Sequence, residues 1–152
     1  MQIIEVKSKK DANDFLEVAR VVYKSDPVWV CPLDQEINNI FDPKENVFFQ
    51  NGADTDFKDD QGNLIGRIAA FINESKANFG DKRIGGIGFF ECINDKTIAF
   101  KIFDIAKAWL VERKVNTIQG PINFGENDSF WGLLVEGFTH PSNGMVYNPP
   151  HY

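Results

Sequence analysis

The stretch GGIGFFECINDKTIAF, Gly85 to Phe100, decides how the chain is read. Three glycines lead into a short apolar run, and a helical pattern follows. Phe89, Phe90, Cys92 and Ile93 put apolar groups on both faces of a strand predicted over Arg83–Ile93, so this strand belongs inside a sheet rather than at its edge. From Lys96 to Lys114, the residues Ala99, Ile102, Phe103, Ala106, Trp109 and Leu110 recur at helical spacing, with Asp104, Lys107 and Glu112 outside that stripe. TIQGPI, Thr117 to Ile122, then reads as a strand ended by Gly120 and Pro121. Strand, long helix and strand in this order imply a right-handed crossover between parallel neighbours. Either Asn94 or Asp95 is placed to cap the long helix.

Toward the N-terminus, IIEV (Ile3 to Val6) is a β-branched strand, and Ser8 with Asp11 has capping-box spacing. Phe15, Leu16, Ala19, Val22 and Tyr23 then recur as one inward helical face. Pro27 and Pro32 hold SDPVWVCPLDQE extended before a short helix around Leu33–Phe41. In this region Trp29, Phe48 and Phe49 either line a groove or cover the sheet. Thr55–Lys58 and Leu64–Ile72 form a hairpin through DDQGN, whose Gly62 and Asn63 suit a tight reversal. Beyond TIQGPI a last helical segment is predicted around Asn127–Val135. With no repeat, low-complexity segment or linker, residues 1–152 read as one α/β (α+β) domain, a mixed, mostly antiparallel sheet with helices on both faces.

Composition narrows the function classes. A chain of 152 residues, 43% hydrophobic and 13% aromatic, is large enough to close a core. Sixteen basic against 22 acidic residues give a net charge of -6, which disfavours nucleic acid and anionic lipid as partners. No apolar run approaches the roughly 20 residues of a membrane span, and MQIIEVKSKK lacks a signal-peptide core, so a cytoplasmic protein is expected. Cys31 and Cys92 are far apart, with Cys92 in an apolar run where a buried thiol is expected, and His140 and His151 make no zinc set. No metal is expected.

The element order, taken with GRIAAF, GGIGFFECIND, GPINFGENDSFWGLLVEGF and YNPPHY, resembles the GNAT superfamily of acyl-CoA-dependent N-acyltransferases. More narrowly it resembles the N-terminal lobe of longer bacterial GNAT-like proteins, over nearly the whole chain. The resemblance implies a GNAT-like fold without its final hairpin, an open sheet edge suited to homodimerisation, and acetyl-CoA as cofactor. It places the pantetheine arm against Phe89, Phe90, Glu91, Cys92 and Ile93, and the pyrophosphate on Asn94, Asp95, Lys96 and Thr97. The first turn of a helix suits an anion, because its amides are unpaired and its dipole is positive there.

The chain departs from the family at two points. The usual loop is Q/R-x-x-G-x-G/A, whereas ECINDKTIA has no glycine and brings Glu91 and Asp95, with Lys96 as local compensation. The family's tyrosine two turns into the following helix is replaced by Leu133 and Leu134, while Asn127, Gly137 and Phe138 follow its pattern loosely. Tyr147 is the substitute acid if it reaches the site from another segment; otherwise it packs with its hydroxyl at the surface. Glu91, on the strand bordering the expected cleft, is the candidate general base if partly buried, or else a solvated strand-end carboxylate. Asn123 and Asn127 either present amides to substrate or CoA or close the turn after Pro121.

Two functions follow. One is acyl transfer from acetyl-CoA to an amine, with Glu91 as base and amides near Phe90 polarising the thioester carbonyl. The other is a non-catalytic binding or assembly lobe that does not use CoA. A weaker third is a small-molecule sensor built on the aromatic groove.

Overall fold

A computed structural model of the chain describes residues 1–48, 51–124, 131–139 and 145–152, with 51–56 described by their backbone alone. The elements run β1 (Gln2–Glu5), α1 (Lys9–Val22), α2 (Asp34–Ile40), β2 (Asn51–Lys58), β3 (Leu64–Ile72), β4 (Asn78–Phe79), β5 (Lys82–Cys92), α3 (Lys96–Glu112) and β6 (Thr117–Gln119). Among the described residues the strands form one sheet in the order β1-β2-β3-β5-β4, with β6 parallel to β5. The mixed sheet and the parallel pairing of β5 with β6 across α3 agree with the sequence reading. The two-residue strand β4 was not foreseen, and β2 begins at Asn51 rather than Thr55.

Local chemistry sets the element boundaries. The Ser8 Oγ accepts from the Asp11 amide at 3.2 Å while the Asp11 carboxylate accepts from the Ser8 amide at 2.9 Å, a complete capping box. Replacing Ser8 with alanine is expected to cost about 1 kcal/mol. That corresponds to a melting temperature lower by about 2–4 °C, readable by thermal denaturation. Between β2 and β3, Gly62 takes φ +87° and Asp59 accepts from the Asn63 amide, closing the predicted reversal.

The side chains of β3 alternate between two cores. Ile68, Ala70 and Ile72 face α3, where Ile102, Ala106 and Leu110 supply a buried i, i+4, i+8 stripe. Ala69 faces Phe15, Leu16, Ile37 and Phe89 on the side of α1 and α2. Phe103, expected within the inward stripe of α3, is 37% exposed and stacks on Phe90 at 4.4 Å.

The glycines of GGIG lie inside β5 and serve packing. A Cβ on Gly85 would meet Leu110 of α3, and one on Gly86 would meet the Phe71 ring. At Gly88 it would overlap the Ile122 carbonyl oxygen, so only glycine lets the chain leaving β6 lie against β5.

The helix predicted over Asn127–Val135 is corrected where it is described: residues 131–135 have no helical structure, and residues 125–130 lie outside the described residues. This segment is tied down by Asn148, whose Oδ1 accepts from the Leu134 amide at 2.7 Å. Of the three aromatics read as lining a groove or covering the sheet, two are described. Trp29 stacks on Tyr23 at 4.6 Å, Phe48 lies beneath the Lys76 ammonium, and Phe49 lies outside the described residues.

Candidate active site

The site is built where β5 and β6 part. They pair from Ile84–Thr117 to Gly86–Gln119, and a last rung joins the Ile122 amide to the Ile87 carbonyl at 3.0 Å. Beyond it, β5 has no strand partner on that side among the described residues. A bulge falls at the same place. The register passes from Ala69–Gly88 to Arg67–Glu91, so Ile68 alone faces Phe89 and Phe90, and Phe89 takes φ +53°. Such a bulge re-aims the residues that follow it. Here it leaves Phe90 and Cys92 on the α3 side, and Glu91 on the side of α1 beside Arg67.

Glu91 is not a solvated strand-end carboxylate, since its side chain is only 13% exposed. Its Oε1 lies 3.7 Å from Nη2 of Arg67, and its Oε2 accepts from the Tyr152 hydroxyl at 2.8 Å. Tyr23 faces the same carboxylate. Burial pushes the Glu91 pKa above the ordinary carboxylate range, and Arg67 together with the two tyrosines only partly offsets that rise. Both tyrosine hydroxyls are held protonated to well above their usual range, first by burial and then by the charge of Glu91.

Arg67 is itself buried, with Nη1 donating to the Phe15 carbonyl at 2.9 Å and the guanidinium 4.8 Å over the Phe15 ring. A buried arginine needs such partners. Arg67, Tyr23 and Tyr152 were all missed from the sequence. One signal was available: an arginine inside the apolar run LIGRIAAFI requires a buried counter-charge.

The remaining predicted residues divide. Tyr147 does not meet Glu91: its hydroxyl donates to Asp26 at 2.6 Å, and burial together with that carboxylate pushes its pKa up to about 12. The tyrosine at Glu91 is Tyr152 instead. Asn123 is 7% exposed and its Oδ1 has no hydrogen-bond partner among the described residues, an acceptor in a buried place. Asn127 lies outside the described residues. Cys92 is buried, as expected, and its thiol is pushed up to about 11 by burial.

At the entrance to α3 it is Asp95, not Asn94, that caps. Its Oδ1 accepts from the Thr97 amide at 2.9 Å and the Ile98 amide at 3.1 Å. Asn94 is exposed, and the Lys96 ammonium rests over the Phe100 ring. The backbone donors that an anion would need are therefore bonded to a carboxylate of the chain itself.

No protein-family model matches the chain. A protein called YghO from Escherichia coli is 29% identical over 150 residues, covering 95% of this chain and 37% of its own length. A bacterial ceramide synthase of Caulobacter vibrioides is 29% identical over 154 residues, covering 100% of this chain and 40% of its own. The chain thus spans well under half the length of these curated relatives.

Among solved structures, an aminoglycoside 6'-N-acetyltransferase of Acinetobacter haemolyticus superposes with a TM-score of 0.53 at 13% identity, over 78% of this chain and 77% of that one. AAC(6')-Iy, in complex with the bisubstrate analogue CoA-S-monomethyl-acetylneamine, gives 0.52 at 10% identity, over 84% and 83%. Glucosamine-6-phosphate N-acetyltransferase of Arabidopsis thaliana gives 0.53 at 10% identity, over 78% and 81%. What the chain shares with these enzymes is their fold.

Proposed function

We infer that this chain, whose fold is that of the GNAT acetyltransferases, is an N-acyltransferase lobe that moves an acyl group, acetyl in the simplest case, from acyl-CoA to an amine. The observation that carries the reading is Glu91: a buried carboxylate with a raised pKa, placed where β5 leaves β6. A general base works best when its pKa lies near the working pH, and burial moves a carboxylate in that direction. Bound acyl-CoA would supply the activated acyl group. Glu91 would take the proton of the amine as the new C–N bond forms and the thioester C–S bond breaks to release the CoA thiol group, with Arg67 stabilising the ionised carboxylate. The Oδ1 of Asn123 would accept an N–H from a ligand.

The relative named a ceramide synthase supports an acceptor amine carrying a long apolar chain, since a ceramide is an N-acylated long-chain amine. Val30, Leu33 and Val47, exposed on the segments flanking α2, suit such a chain. Thiol release from acetyl-CoA, measured across short polar and long-chain amines, tests both parts. Turnover confined to polar amines counts against the long-chain acceptor, and no turnover with any amine counts against acyl transfer.

The residues fit the cofactor unevenly. The edge of β5 that lacks a strand partner suits an amide-bearing arm, but the entrance to α3, capped by Asp95, does not suit a diphosphate in this conformation. That mismatch favours a second reading, a binding or assembly lobe that does not use CoA. Calorimetric titration of acetyl-CoA into the native chain and Asp95→Gly separates the two. Freeing two amides and removing a carboxylate is expected to tighten binding by about tenfold. The fold should survive, because glycine at a cap costs only about a few tenths of a kcal/mol. Absence of binding to both proteins supports the non-catalytic lobe.

A further inference from the structure

Tyr152 makes a contact that the acyl-transfer reading does not need. Its hydroxyl accepts from the Cys92 amide at 2.7 Å, donates to Glu91 at 2.8 Å and lies 3.3 Å from the Cys92 carbonyl oxygen. Cys92 pairs with Gly66 of β3, yet it is the next amide, Ile93, that bonds across to β3, at Ile65 O. Because backbone groups alternate along a strand, the N–H and C=O of Cys92 point the other way, to the edge left open after Ile87. An open edge of this kind takes an extended amide-bearing chain by strand-like pairing. Tyr152 already sits there, with its ring 5.2 Å from that of Phe90.

The anchoring of the surrounding segment is uneven. Asn148 bonds to Leu134 N and O, and Tyr147 to Asp26. After Pro149, the side-chain hydrogen bonds of Tyr152 among the described residues are those of its hydroxyl, and its amide closes a local turn onto the Pro149 carbonyl at 3.1 Å. Asn148 Nδ2 also donates to the Pro149 carbonyl at 3.1 Å, so a hinge at residues 150–151 would move Tyr152 while Tyr147 and Asn148 keep their bonds.

We propose that Tyr152 is an internal latch: its hydroxyl occupies the Cys92 edge that the amide arm of an acyl-CoA requires, and it must withdraw for the donor to bind. Withdrawal frees the Cys92 amide and uncovers the Glu91 carboxylate in one movement, so donor entry and exposure of the base are coupled. The proposal rests on the acyl-donor reading of the site.

The test compares the native chain with Tyr152→Phe, which keeps the ring on Phe90 and removes the hydroxyl, and with Tyr152→Ala, which removes both. Amide hydrogen exchange at Cys92 reads the latch without any ligand, and calorimetry with CoA reads its effect on binding. Exchange at Cys92 is expected to quicken by about tenfold in Tyr152→Phe, and CoA to bind about tenfold more tightly. Tyr152→Ala should bind at least as tightly as Tyr152→Phe. Unchanged Cys92 exchange, or CoA binding to the variants no tighter than to the native chain, overturns the latch and leaves the acyl-donor reading standing. Failure of all three proteins to bind CoA overturns the donor reading and, with it, the latch.

Discussion

Glu91→Gln is expected to reduce acyl transfer by about a hundredfold or more while leaving the affinity for the acyl donor nearly unchanged. Glutamine has the shape of glutamate and can still accept from the Tyr152 hydroxyl, so the site is preserved and only the proton acceptor is lost. A loss in kcat with constant KM for the donor would match a role in proton transfer. A rise in KM alone would place Glu91 among the binding groups and remove it as the base.

The pH dependence supplies a second check. Burial raises the Glu91 pKa, so in the native chain the rate should climb with pH through a limb above the ordinary carboxylate range, as the base ionises. That limb should vanish in Glu91→Gln. Stability follows the opposite sign. A carboxyl whose folded pKa is raised favours the fold below its unfolded pKa, and that contribution is lost as pH rises through the folded value. The stability of the native chain relative to Glu91→Gln should therefore fall across the same interval in denaturant titrations. A difference that is flat with pH would mean that Arg67 compensates the buried charge fully.

Gly88→Ala is expected to give the largest loss of stability, about 3 kcal/mol, because the added methyl overlaps the Ile122 carbonyl oxygen and neither backbone can yield cheaply. In a domain of this size that lowers the melting temperature by about 6–12 °C. The same substitution should also weaken donor binding, since relief of the overlap requires the chain after β6 to shift at the point where the two strands part. Gly62→Ala is an informative comparison, because its cost comes from a positive φ in an open turn and should leave the site untouched. Equal effects of the two variants on CoA affinity would show that Gly88 has no special relation to the site.

Much of the fold was legible because its signals are local. The capping box at Ser8, the DDQGN reversal, the stripe along α3 and the apolar run of β5 each depend on residues a few positions apart. The site was less legible. Glu91 was singled out from its place on the central strand, and the cap of α3 was narrowed to Asn94 or Asp95, but the partners of Glu91 come from α1, β3 and the segment near Tyr152. Replacing Tyr147, the tyrosine expected there, with Tyr152 required knowing which of them reaches β5. Asp26 draws one hydroxyl away, and the turn at Pro149 delivers the other.

The sequence by itself determined the alternation of strands and helices, the parallel crossover around α3 and a side-chain cap on it at Asn94 or Asp95, since periodicity and first-turn chemistry are written in neighbouring residues. Only the tertiary structure decided that Glu91 is buried, that Arg67 and two tyrosines surround it, and that a tyrosine hydroxyl covers the edge of β5 beyond Ile87. The physical reason is separation along the chain: Tyr23, Arg67, Glu91 and Tyr152 carry no local pattern that links them, and their energies exist only once the folded sheet excludes water from the carboxylate they share.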